Sequence, residues 1–203
     1  MLKEDIKICL QENGDFLDQI AEIAYDTFEQ KMLHILLLNK TREQGIRILR
    51  QSLNLICPTY CALKNGNVVG FVGIEENRHN KFLNIGIKHL ISEFGILGGT
   101  LRRIRLLVFN LPHAKNNELY IYAIGVLPLE RGKGTGEKLL MQVETYAKEK
   151  NKSSVSLEVV NTNNGAIKLY KRLGFVETKY LNYGTFTRKA GFTGSYRMQK
   201  CTN

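Results

Sequence analysis

The sequence predicts a protein of the α/β or α+β class, built on a mixed β-sheet. Segments with apolar residues about three to four positions apart alternate along the chain with short β-rich runs. An Asn-Gly dipeptide, typical of a tight hairpin turn, separates two of these β-rich runs. The length of 203 residues suits one domain with an insertion, so we predict a single domain over 1–203.

The N-terminal part is predicted to contain a strand, two helices and a hairpin. Residues 6–10 form the strand, and Asp15 is expected to cap the first helix, because apolar residues follow it at helical spacing. The second helix starts at TREQ (41–44), which has the capping-box pattern. Asn65-Gly66 is the preferred type I′ turn, so residues 59–74 are predicted to form the hairpin.

A helical insertion is predicted at about 77–117. Residues 82–94 and 100–111 each show helical periodicity, and three glycines lie between them. The second of these segments contains the basic and apolar stretch LRRIRLLVF. Such a stretch could bind nucleic acid or a membrane surface. A packed helix with a solvated basic face is the more common arrangement, and we favour it.

The C-terminal part alternates strands with helices and contains a glycine-rich stretch. The predicted elements are a strand at 118–128, a helix that follows ERGKGTGEKLL (130–140), a strand at 154–160, a short helix at 163–175, and strands at 176–181 and 195–200. A helix therefore begins directly after a strand and a glycine-rich turn. That order is typical of a phosphate-binding site.

Composition narrows the class of function and partner. No apolar run reaches the roughly 18 residues of a membrane span, and the N-terminal segment lacks an apolar signal core, so we expect a cytoplasmic protein. The four cysteines and four histidines lack disulfide or metal-ligand spacing, so we expect free thiols and no metal. The net charge of +10 favours an anionic partner such as nucleic acid, a membrane surface or a phosphate-rich cofactor.

The glycine-rich stretch has the chemistry of an anion site. The first backbone N–H groups of a helix have no partner within the helix, and the helix dipole is positive there. Gly132, Gly134 and Gly136 would let an anion approach these groups closely, because glycine has no Cβ atom. Arg131 and Lys133 add positive charge. We therefore expect a phosphate group to bind at this turn.

Two familiar phosphate motifs do not fit the stretch. A Walker loop needs Ser or Thr directly after Gly-Lys, but Leu139 follows Lys138 here. The dinucleotide fingerprint needs a third glycine, and Glu137 occupies that position. The pattern that fits is Arg-x-x-Gly-x-Gly, formed by Arg131, Gly134 and Gly136.

A second motif follows some 30 residues later, and the two together resemble a known family. The second motif is Asn-x-x-Ala-x-x-x-Tyr followed by Gly-Phe, and its residues are Asn163, Ala166, Tyr170, Gly174 and Phe175. Over 118–176 the sequence resembles the GCN5-related N-acetyltransferase (GNAT) superfamily. Residues 1–76 match this family only in the order of elements, and nothing in the family pattern explains the insertion.

The resemblance implies a mostly antiparallel sheet that splays between the strand before the glycine loop and the strand after its helix. It also implies acetyl-CoA as co-substrate, with the pyrophosphate on the loop amides and the pantetheine paired to the splayed strand. The residues implied to contact the cofactor are Ile124, Gly125, Val126, Arg131, Gly132, Lys133, Gly134, Thr135, Gly136 and Asn163. Asn163 could also cap the following helix, and both roles are compatible.

The resemblance further implies catalytic roles. Tyr170 corresponds to the general acid that protonates the leaving thiolate, although its helical spacing also suits a core aromatic. The amide of Val126 would stabilise the oxyanion. Glu118 is our candidate for the general base, with Glu75 and Glu76 as rivals, and many family members need no such base.

The predicted function is transfer of an acetyl group from acetyl-CoA to a small-molecule or peptide amine. The alternative is a non-catalytic module of the same fold that binds acyl-CoA. The loop 182–194 is expected to border the acceptor cleft, and its aromatic and basic residues favour an acceptor with an acidic or aromatic part: Tyr183, Phe186, Arg188, Lys189 and Phe192. Nucleic acid is not an expected partner, and a homodimer is compatible with the sequence.

Overall fold

A computed structural model describes residues 5–12, 14–54, 56–77, 81–108, 114–115 and 117–202. The strands in these residues are β1 (Lys7–Leu10), β2 (Thr59–Lys64), β3 (Asn67–Glu75), β4 (Glu118–Val126), β5 (Ser154–Val160), β6 (Val176–Asn182) and β7 (Gly194–Cys201). The α-helices are α1 (Leu17–Lys31), α2 (Arg42–Ser52), α3 (Ile87–Val108), α4 (Thr135–Glu149) and α5 (Asn164–Arg172). A π-helical turn, Met32–Leu36, extends α1.

The strands form one seven-stranded sheet in the order β1-β2-β3-β4-β5-β7-β6. Among the described strands, β4 and β5 pair in parallel, and every other neighbouring pair is antiparallel. One apolar cluster packs α1, α2 and part of α3 on one face, and a second packs α4 and α5 on the other. The predicted mixed, mostly antiparallel sheet flanked by helices is therefore confirmed.

Of three local predictions for the N-terminal part, the hairpin turn and the cap of α2 are confirmed and the cap of α1 is wrong. Asn65 and Gly66 have φ values of 51° and 80°, as the predicted hairpin turn requires. Thr41 caps α2, because its side chain accepts a hydrogen bond from the Gln44 amide at 3.2 Å. The predicted Asp15 cap is wrong, because the N-cap position of α1 is Phe16 and no side chain bonds there.

The sheet splays between β4 and β5. Parallel pairing runs from Glu118–Ser154 to Ile121–Leu157 and then stops. At this point Tyr122 is an extra residue on β4, because the register with β3 shifts between Gly73 and Ile74. β4 continues along β3 as far as Val126, so its other edge loses its strand partner over the last five residues. This confirms the predicted splay.

The arginine side chains of α3 face the protein rather than solvent. Arg102 donates to the carbonyls of Leu37 and Leu38 at 2.5 and 2.9 Å. Arg105 donates to the Ile35 carbonyl at 2.5 Å. These carbonyls end the helical segment after α1, where arginine side chains commonly satisfy unpaired acceptors. The arginines therefore act as a clamp on the end of α1.

The outward face of α3 is apolar, which reverses the expected arrangement of a solvated basic face. The exposed apolar residues of α3 are Ile87, Ile96, Leu97, Leu101, Ile104 and Leu107. A break at Gly95, where φ is 71°, divides α3 into two helical segments, which agrees with the two helices predicted on either side of the glycines. Residues 109–111 of the second predicted segment lie outside the described residues. Within the described part of the chain, no helix is long and apolar enough to span a membrane.

We expect Arg102→Met to destabilise the protein by about 1.5–3 kcal/mol, because it removes charged hydrogen bonds to the carbonyls of Leu37, Leu38 and Gly98. Arg103→Met is the matched control, since Arg103 makes one longer bond, at 3.4 Å, to the Ile85 carbonyl. Urea unfolding should show a much larger shift in midpoint for Arg102→Met at an unchanged slope. Equal losses in the two variants would contradict the clamp.

Candidate active site

A cavity of about 650 Å³ lies where β4 and β5 separate. Its walls come from both faces of the sheet. From the α5 side it is lined by Asn163 and Tyr170, and from the α1 side by Phe28, Lys31, Tyr120, Tyr122, Glu158, Tyr183, Phe192 and others. The cleft therefore passes through the splay, and two ligands could enter it from opposite faces of the sheet.

The glycine loop stands at one end of the splay. Gly132 and Gly134 have φ values of 73° and 88°, which favour glycine, and Gly134 is the N-cap of α4. In the described residues, no backbone amide from 132 to 136 donates to a backbone carbonyl. These amides point outward at the positive end of a helix, so the loop can hold an anion without rearrangement.

The side chains of this loop are mostly engaged within the protein. The Arg131 Nε donates to the Val126 carbonyl at 3.0 Å. The Lys133 ammonium pairs with Glu130 at 3.3 Å. The Thr135 hydroxyl is buried and donates to the Glu130 carbonyl at 3.3 Å. An anion at this loop would therefore meet backbone N–H groups first.

The last residues of β4 offer a backbone edge without a strand partner beside the loop, where, within the described part of the chain, only the Val126 carbonyl is bonded, to Arg131. The Leu127 amide donates to the Val69 carbonyl on the β3 side. Successive amides of an extended strand point to opposite sides, so the Val126 amide points into the splay. Ile124 has the same orientation and lines the cavity. Gly125 has a packing role, because a Cβ atom there would lie 2.6 Å from the Thr27 hydroxyl on α1.

Two residues of the second motif, Asn163 and Tyr170, line the cleft. The Asn163 side chain accepts from the Ala166 amide at 3.2 Å, so it caps α5 and also borders the cavity. Tyr170 is buried, and its ring lies 5.9 Å from that of Phe175. Its hydroxyl has no hydrogen-bond partner among the described residues. Burial raises the pKa of Tyr170, so the phenol stays protonated at neutral pH.

Glu118 does not reach the cleft, contrary to the expectation for a base. The residue is buried at the closed end of the β4–β5 pair, where it forms an ion pair with Arg197 at 2.7 Å. It also accepts a hydrogen bond from the Lys115 amide at 2.9 Å. A buried carboxylate held by an ion pair and a backbone hydrogen bond has a structural role.

The two rival glutamates also lie outside the cleft lining. Glu75 is fully buried, and burial raises its pKa to about 7. One of its oxygens accepts from the Phe82 amide at 2.9 Å. Glu76 accepts a hydrogen bond from the Tyr146 hydroxyl on α4.

Glu158 is a half-buried carboxylate that lines the cleft, and sequence reasoning missed it. It follows Leu157, the last β5 residue paired with β4, and so lies where the splay opens. Burial raises the pKa of Glu158, while Arg197 and Lys31 oppose that shift. A charged residue within the largely apolar strand SVSLEVV was the sequence feature that could have indicated a functional role for Glu158. The pattern gave no means of telling which face it would occupy.

The loop between β6 and β7 covers the acceptor side only in part. Tyr183 and Phe192 line the cavity as expected. Phe186, Arg188 and Lys189 are exposed and do not line it, so the expectation for these three is wrong. The Thr187 hydroxyl donates to the Phe192 carbonyl at 2.8 Å and fixes the loop against the cleft.

Solved N-acetyltransferases share this fold. The N-acetyltransferase from Staphylococcus aureus Mu50 superposes with a TM-score of 0.62 at 16% identity, covering 98% of this chain and 99% of that one. The ribosomal-protein-S18-alanine N-acetyltransferase from Escherichia coli gives a TM-score of 0.56 at 16% identity, covering 98% and 95%. At such identities the likeness concerns the fold alone.

Residues 17–175 match the acetyltransferase (GNAT) family, and the chain belongs to this family. It is 42% identical over 62 residues to streptothricin acetyltransferase of Streptomyces lavendulae, which is 30% of this chain and 33% of the relative. It is 46% identical over 57 residues to an uncharacterised N-acetyltransferase of Methanocaldococcus jannaschii, which is 28% and 25%. The chain thus matches a third or less of the length of these curated relatives. The predicted family is confirmed.

Proposed function

We propose that the protein transfers an acetyl group from acetyl-CoA to a primary amine within a ternary complex. The observation that carries this proposal is the splay, which joins an anion-binding loop, a free strand edge and a cleft open to both faces of the sheet. Acetyl-CoA fits these parts because it combines phosphates, a chain with amides and a thioester. The donated group is thereby brought to the middle of the sheet.

Each part of the cofactor has a matching feature in the proposal. The pyrophosphate binds the outward amides at the start of α4. The pantetheine amides pair with the free edge near Ile124 and Val126, which satisfies backbone groups that lack a strand partner. Asn163 lies beside this path at the start of α5. Arg131 and Lys133 can add attraction at the loop once they leave their present partners.

The chemistry assigns one residue to each proton. Glu158 accepts a proton from the acceptor ammonium, since its raised pKa brings it nearer to that of the amine. The amine nitrogen then attacks the thioester carbon, and the Val126 amide stabilises the oxyanion. As the C–N bond forms and the C–S bond breaks, Tyr170 gives its proton to the leaving thiolate. The tyrosinate then takes the second proton of the attacking nitrogen, so the neutral amide forms and the phenol is restored. A non-catalytic acyl-CoA-binding module is the alternative, and the variants below distinguish the two.

The first prediction concerns the loop. Gly134→Glu places a carboxylate against the outward amides, so it should abolish the rise in melting temperature that acetyl-CoA gives the unmodified protein. Gly66→Glu is the matched control, because both glycines have φ near 80–90° and open space around them. The control should keep its acetyl-CoA shift while it loses similar stability. Undiminished acetyl-CoA binding by Gly134→Glu would refute the pyrophosphate site.

The second prediction concerns Tyr170. Tyr170→Phe removes a hydroxyl without a partner among the described residues, so unfolding free energy should change by less than about 1 kcal/mol. Turnover should fall on the order of 10²-fold, while acetyl-CoA affinity stays nearly constant. Stopped-flow release of free CoA measures the chemical step. Unchanged turnover in this variant would assign Tyr170 to packing and would favour an enzyme that needs no acid.

The third prediction separates the two glutamates. The unmodified enzyme should lose kcat/KM as pH falls through the raised pKa of Glu158, because only the carboxylate can accept a proton. Glu158→Gln should lower kcat/KM on the order of 10²-fold and remove that acidic limb.

Glu118→Gln is the comparison for this pair. It should lower stability by about 3–5 kcal/mol, because it breaks a buried ion pair. When the rate is corrected for the fraction of folded protein, kcat/KM of this variant should still fall at low pH. The reverse result, with the limb lost in Glu118→Gln alone, would restore Glu118 as the base.

A further inference from the structure

The acceptor side of the cleft contains a lysine without an anionic partner. Lys31 is the last residue of α1 and lines the cavity. Its Nζ lies 5.8 Å from the centre of the Phe28 ring and 5.5 Å from that of the Phe192 ring. Within the described residues, no carboxylate lies within ion-pair distance of this ammonium, and it donates no hydrogen bond. Lys31 is thus held in the cleft by aromatic contacts.

This position is unfavourable for an ammonium by itself. Removal from water lowers the pKa of Lys31, and Glu158 offsets the effect only in part. Cation–π contacts compensate for part of the solvation energy that the ammonium loses on burial, but a paired anion compensates for more. Lysine side chains usually extend to solvent, and this one is partly buried against two rings. The cleft therefore presents a cation that an anionic group of a ligand would stabilise.

Most other charged side chains on this side of the sheet are paired within the protein or exposed to solvent. Arg197 binds Glu118 at 2.7 Å and the Ser156 hydroxyl at 3.2 Å. Asp26 at the cleft mouth pairs with Arg42 on α2. Glu29 also lines the cleft, but its side chain is exposed to solvent. Lys31 and Glu158 are thus the half-buried charged side chains that the cleft offers a ligand between its aromatic walls. Opposite charges at separate points in an otherwise apolar cleft suit a ligand with two opposite charges of its own.

We propose that the acceptor is a small amine that also carries a carboxylate, with an apolar or aromatic body, and that Lys31 binds its carboxylate. The amine then lies toward Glu158 and the β4–β5 splay, while Phe28, Phe192 and Tyr183 contact the body. This inference rests on the proposed acetyl transfer. It makes Lys31 a residue that determines specificity through acceptor binding, and it predicts an effect mainly in KM.

The test compares acceptors that differ only in the anion. The probes are phenylalanine with phenylalaninamide, and 4-(aminomethyl)benzoate with 4-(aminomethyl)benzamide, which vary the distance between amine and carboxylate. In at least one pair, the carboxylate should have a kcat/KM on the order of 10-fold higher than its amide, through a lower KM. Lys31→Met should reduce that ratio to near one. Lys189→Met, which removes an exposed lysine of the neighbouring loop, should leave the ratio unchanged.

Calorimetry with CoA present separates this inference from the proposed activity. Binding of a carboxylate probe that is lost in Lys31→Met, with no CoA release from any amine, would support the anion site and refute acetyl transfer to these amines. Acetylation of the amides as efficiently as of the carboxylates would overturn the inference and leave the activity intact. A carboxylate preference that survives in Lys31→Met would also overturn it, and so would the absence of both binding and turnover.

Discussion

The structure depends on the point where β4 and β5 stop pairing. Up to Ile121 and Leu157 the two strands form an ordinary parallel ladder. Beyond it, the extra residue Tyr122 changes the path of β4, and the strand follows β3 alone. Unpaired backbone groups are costly unless a ligand or water satisfies them. One local irregularity thereby creates both the cleft and the free edge that the proposed cofactor would occupy.

The closed end of the splay is stabilised by a buried polar cluster. Arg197 on β7 reaches across β5 to Glu118 on β4, with Ser156 between them, and its guanidinium lies 5.3 Å from the Tyr120 ring. The cluster therefore links three neighbouring strands at the place where pairing is complete. Glu118 has a structural role for this reason. Its counterpart at the open end is Glu158, the direct cross-strand neighbour of Arg197.

The insertion supports one wall of the cleft through the end of α1. The backbone of α1 is kinked at Phe28, where φ is −114° and ψ is 18°. Lys31 follows at the last position of the helix, and the π-helical turn continues to Leu36. The arginines of α3 bind carbonyls of this same segment. The family pattern does not explain this helix, but its contacts give it a physical role in fixing one wall of the cleft.

The sequence by itself determined the features that depend on near neighbours. The hairpin at Asn65-Gly66, the start of α2 at Thr41 and the glycine loop all follow from backbone preferences within a few residues, and the two motifs identified the family. Only the tertiary structure decided which charges face the cleft. Glu118 and Arg197 are 79 residues apart, and no local pattern could show that they pair. The roles of Glu158 and the α3 arginines also depend on the tertiary structure. The role of a charged side chain is set by the groups, often distant in sequence, that pack around it.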